Sequence, residues 1–93
     1  MKMKNNDLLD MFIEFKADST MENHTGNLYI IKPYLLVNYN TVIAFYHEGV
    51  LYVSERKYSN TTSRHQNYLI RHGAKVMEAK AFDELAWKYK YGA

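Results

Sequence analysis

Thr41-Val42-Ile43-Ala44-Phe45-Tyr46-His47 and Val50-Leu51-Tyr52-Val53-Ser54 stand on either side of Glu48-Gly49. Both runs are rich in β-branched and aromatic residues, which fit a pleated surface. Glycine supplies the positive φ that a tight reversal needs. The stretch reads as a β-hairpin, and the rest of the chain must pack on it. With a two-residue loop, Phe45 faces Tyr52 and Ile43 faces Ser54 on one side. Val42, Ala44, Tyr46, Leu51 and Val53 share the other side, which is the more uniformly apolar and is the expected core face. A slip of one residue would exchange the two faces.

The hairpin runs into Glu55-Arg56-Lys57-Tyr58 and then Ser59-Asn60-Thr61-Thr62-Ser63. Hydroxyls and amides satisfy the free N–H groups of a helix start. The spacing predicts a helix over 62–72, stopped by Gly73. His65, Tyr68, Leu69 and His72 fall on one face of it, and Arg64 and Arg71 on another. Upstream, Leu8, Met11, Phe12 and Phe15 predict a helix over 7–16, although Met11–Phe15 also alternates as a strand would. Residues 1–5 are expected to fray, and Asp18–Asn27 reads as a polar loop.

Leu28–Ile31 and Tyr34–Tyr39 add strands, so that 28–54 is the strand region, with Pro33 marking a strand end or an edge. Asn38-Tyr39-Asn40 reads either as a turn or as a continuing strand. Lys75–Glu78 can return to the sheet, and 81–91 forms a last helix with Phe82, Leu85, Ala86 and Tyr89 on one face. The expectation is a single α+β domain over 1–93, a small antiparallel β-meander of roughly three to five strands with helices packed on one face.

The chain has no cysteine, which excludes a disulfide framework and thiolate zinc sites and fits a reducing cytoplasm. Apolar content of 47% and charge of 24% are those of a folded protein. No signal peptide is visible at the start, and no apolar run reaches the roughly 20 residues that span a bilayer. The charge is unevenly spread. Residues 1–27 carry three lysines against five carboxylates, whereas 28–93 carry nine Lys or Arg against five. An acidic arm on a mildly basic body results.

No nucleophile–base pair, Gly-rich phosphate loop or metal-spaced histidine pair is present, so no catalytic residue, metal or cofactor is expected. Three candidate surfaces remain. Thr61, Thr62 and Arg64 at a helix N-terminus could hold an anion, although capping is the commoner duty of such residues. Arg56, Lys57, Arg64 and Arg71 form a basic set, with Tyr52 and Tyr58 as aromatic anchors for a partner. The nine tyrosines suit contact surfaces or base stacking, and equally a small core with its hydroxyls at the rim. Trp87-Lys88-Tyr89-Lys90-Tyr91 alternates base and ring, but on a helix these side chains diverge.

Asn38–Ala44, Gly49–Val53 and Lys57–His65 together resemble a small domain found in short accessory proteins of bacteriophages and prophages. That pattern is a Tyr-x-Thr-x-Val-Ala strand, a Gly-containing turn and a Tyr-Ser-x-Thr-Thr-Ser-Lys-His helix start, with Arg64 here in place of the commoner lysine. The resemblance covers about a third of the chain and excludes both termini. It implies a viral protein in the bacterial host cytoplasm that binds and inhibits or modulates a host protein or ribonucleoprotein complex, as anti-CRISPR proteins do. The step from family to activity is analogy. The competing expectation is direct nucleic-acid binding through the basic face between Arg56 and Arg71. Pairing of an open sheet edge would allow a homodimer.

Overall fold

The computed structural model describes residues 1–92; residue 93 of the expected domain lies outside them. The elements in chain order are β1 (Lys2–Met3), α1 (Asn5–Ile13), β2 (Glu22–Asn23), β3 (Leu28–Lys32), β4 (Leu35–Asn38), β5 (Thr41–His47), β6 (Val50–Ser54), α2 (Asn60–Arg71), β7 (Lys75–Met77) and α3 (Ala79–Tyr91). All seven strands form one sheet in sequential order. β2 to β6 are antiparallel neighbours, but β1 pairs with β2 and β6 with β7 in parallel.

The expected meander of three to five antiparallel strands is therefore corrected to a seven-stranded mixed sheet. The α+β class stands. The residues expected to fray supply β1, and the expected polar loop supplies β2. Each is two residues long, too short for alternation to show.

The parallel pairs explain the layering. Parallel neighbours need a crossover, and α1 and α2 provide the two. Four antiparallel steps separate β2 from β6, so β1, β2, β6 and β7 all run the same way. Two crossovers of the same hand, advancing in the same direction along the sheet, must lie on the same face. Leu8, Leu9 and Phe12 of α1 and Leu69 of α2 accordingly share one core with Leu28, Ile30, Leu36, Ile43, Leu51 and Val53. The Tyr68 hydroxyl donates to Asp10 Oδ1 and ties the two helices together.

α3 lies on the opposite face, where Phe82 and Ala86 meet Leu35, Val37, Val42 and Phe45. Helices on one face only is thus also corrected. Both faces are covered, which is why Leu35-Leu36-Val37 and Val42–Phe45 are buried without alternation.

In the hairpin, Phe45 pairs with Tyr52 and His47 with Val50. Glu48 and Gly49 have φ of 50° and 79°, the two positive values of a type I′ turn. Tyr39 and Asn40, at 50° and 66°, make a second such turn, so the strand does not run through them. The expected core face is revised at one point. Leu36 pairs with Ala44 but Val37 with Val42, so Ile43 is an extra residue in β5. The bulge turns Val42 towards α3 and puts Ile43 beside Ala44 on the α1/α2 side.

Candidate functional site

The outer face of α2 carries Arg64, Asn67, Ile70 and Arg71, all exposed around a shallow depression. A neighbouring groove joins Lys57, Asn67 and Ile70 to Val76 of the edge strand β7. Ile70 and Val76 are 40% and 55% exposed, so the face has an apolar centre. Among the described residues Lys57, Arg64 and Arg71 make no salt bridge.

Arg56 lines the same groove, whereas the predicted tyrosines sit elsewhere. The guanidinium of Arg56 pairs with Asp83 of α3. Tyr52 is half-buried on the α3 side, its ring 6.3 Å from that of Phe45. Tyr58 packs against the α1/α2 core, where burial first and the Asp83 charge second raise the pKa of its hydroxyl. The trio Thr61, Thr62 and Arg64 also separates. Thr62 is buried, its amide N–H donates to the capping Ser59 Oγ and its hydroxyl to Asn38 Oδ1. Arg64 points to the outer face, and Thr61 lines a cleft on the far side of the helix start.

That cleft holds about 380 Å³ and lies where α1 and α2 begin. Strands β1, β2, β4 and β6 all end towards it, because they run in one direction. The carboxyl ends of such strands are where α/β sheets offer crevices, since the chain leaves the sheet there in divergent directions.

Its floor is made of asparagines. Asn23 Nδ2 donates to Asn5 Oδ1 at 2.9 Å, and Asn23 Oδ1 accepts from the amide of Leu28 at 3.1 Å. Asn38 Nδ2 donates to the carbonyl of Asn27 at 3.1 Å. α2 contributes Thr61 and His65 to the wall; His65 is only 5% exposed and its Nε2 has no hydrogen-bond partner among the described residues. The sequence considered His65 only as a face-mate of His72. His72 is exposed, with Nδ1 2.8 Å from the Tyr68 carbonyl, and no group of three candidate metal ligands occurs among the described residues. The four asparagines are spread over 5–38 and read as turn formers, so only the fold brings them together.

Burial pushes the pKa of His65 below its usual value. The unfolded chain then binds a proton that the folded one resists, so folding stability is intact above about pH 6.5 and declines as the pH falls below it. The slope contributed by one such proton is at most about 1.4 kcal/mol per pH unit. Urea denaturation at a series of pH values should show this decline in the wild type and its reduction in His65→Phe. An unchanged slope in the variant would remove His65 as its source.

At the opposite end of the sheet Phe15, Tyr34, Tyr46 and Tyr89 surround Gly49 in an aromatic groove. On α3, exposed Trp87 and Tyr91 pack with centroids 4.3 Å apart and ring planes tilted by 51°.

Fold and surfaces define a small three-layer α+β domain with a cationic helix face on one side and, at one sheet end, a polar cleft lined by no Asp or Glu among the described residues. The chain belongs to the family of unknown function DUF8033, which matches residues 9–84, from within α1 to the early turns of α3. Curated proteins and solved structures return no match. No helix among the described residues is long and apolar enough to cross a membrane.

Proposed function

We propose that this chain is a non-enzymatic binding protein that docks an acidic surface of a macromolecular complex against the outer face of α2. The observation that carries the reading is the combination of Lys57, Arg64 and Arg71, free of intramolecular ion pairs among the described residues, with exposed Ile70 and Val76 between helix and edge strand. Apolar contact at the centre and charge at the rim is the usual anatomy of a protein interface. The resemblance to bacteriophage accessory proteins supports a bacterial host complex as the partner and inhibition or modulation of it as the outcome.

Arg64→Glu with Arg71→Glu tests the reading. Both side chains are exposed, so stability should change by no more than about 0.5 kcal/mol per site. Capture of the partner from a bacterial lysate, read by mass spectrometry, should be lost. Capture that survives the double reversal rejects this face. If the wild type instead shifts single-stranded or duplex nucleic acid in a gel, with affinity falling steeply as salt rises, the partner is nucleic acid on the same cations.

A further inference from the structure

We propose that the cleft at the common start of α1 and α2 binds a phosphate monoester of mononucleotide size. The phosphate would lie at the first turn of α1 beside Lys4, and the base between the Tyr39 ring and the His65 imidazole. The site shares no residue with the α2 outer face, so it stands or falls apart from the docking proposal.

Charge comes first. Among the described residues no Asp or Glu lines the cleft, although the chain carries ten; Lys4 and His24 do line it. The first-turn acid of α1, Asp7, is not among the lining residues. α1 begins at the cleft with Lys4 as its N-cap, and that residue offers no side-chain cap to the N–H groups behind it. Uncapped N–H groups aligned with the helix dipole favour an anion.

A helix start alone would not make a site. The second observation is His65, nine-tenths buried on the cleft wall with Nε2 unpaired. Buried polar atoms are nearly always satisfied, and an exception calls for a missing partner. Burial lowers the pKa of the ring and favours its neutral form, so this wall offers no second positive charge and suits a neutral base better than a second phosphate. Tyr39 supplies the stacking surface: it is 53% exposed at the mouth, and the I′ turn holds its backbone in place. The volume of about 380 Å³ is at the small end of ligand sites.

Titration of the 15N-labelled full chain with AMP, adenosine and inorganic phosphate separates the parts. AMP should saturate and move the amides of Asn5, Asn23 and Tyr39 together with the side-chain nitrogens of His65. Adenosine and phosphate alone should each bind at least about tenfold more weakly, because each lacks a charge-assisted or stacking contact of that order. Lys4→Glu should weaken AMP by about tenfold or more and leave adenosine unchanged. Tyr39→Asn, which keeps the left-handed turn, should weaken AMP and adenosine alike. Both substituted side chains are exposed, so the test does not depend on a core variant folding. Equal affinity for AMP and phosphate, equal affinity for AMP and adenosine, shifts confined to the Arg64 face, or no saturable shift at all would each overturn the assignment.

Discussion

Phe45→Ala is expected to cost about 3–5 kcal/mol of folding stability, the range for emptying a fully buried aromatic site. A domain of this size is held by only about 5–15 kcal/mol in total, so the variant should be close to unfolded under mild conditions. Phe45 is fully buried, and its ring stacks on Phe82 at 4.4 Å with an interplanar angle of 19°. Tyr89 meets it edge-on at 5.5 Å. It is thus the largest of the buried sheet residues on which α3 is seated. Leu35, Val37 and Val42 share this apolar contact with smaller side chains, and the polar links of α3 are more exposed: Lys32 Nζ to the Tyr89 carbonyl, Arg56 to Asp83, and the Ala79 amide to Glu55. Such contacts contribute little in water. Urea denaturation should show a large fall in the midpoint. A loss nearer 1 kcal/mol would mean that α3 does not close this face.

Asn38→Ala is expected to cost about 2–4 kcal/mol through lost hydrogen bonds and a small cavity. Asn38 is 2% exposed at the end of β4 and holds two elements at once. Its Oδ1 accepts the Thr62 hydroxyl of α2, and its Nδ2 donates to the carbonyl of Asn27 before β3. Truncation leaves the buried Thr62 hydroxyl without its acceptor, whereas the Asn27 carbonyl keeps the Tyr39 amide at 2.9 Å; an orphaned buried donor costs more than the bond itself contributes. Thr62→Val alone should be milder, and the double variant should be less damaging than the sum of the two singles. Simple additivity in the cycle would show that the two side chains do not act as a unit.

Phe45 also shows where reading along the chain reached its limit. Its partner across the hairpin, Tyr52, follows from a two-residue turn and was legible. Its role followed from α3 arriving on the far side of the sheet, which depends on how many strands precede it and which of them are parallel. The face containing Phe45 and Tyr52 looked mixed and open because a meander with helices on one side leaves the other side bare. Covered on both sides, the same residues become core. Arg56 shows the same thing for charge: beside Lys57 in sequence it joins a basic cluster, but in space it is claimed by Asp83, twenty-seven residues on.

What the chain settled by local chemistry was the reversal at Glu48-Gly49, the Phe45–Tyr52 pairing and a hydroxyl-capped helix after β6. These depend on backbone sterics and on neighbours a few residues apart. What only the assembled molecule decided was the bulge at Ile43, the two-residue strands at one edge and the meeting of four asparagines with a buried imidazole. Each of these needs hydrogen-bond partners distant along the chain, and a partner brought close by folding leaves no periodic trace in the residues on either side.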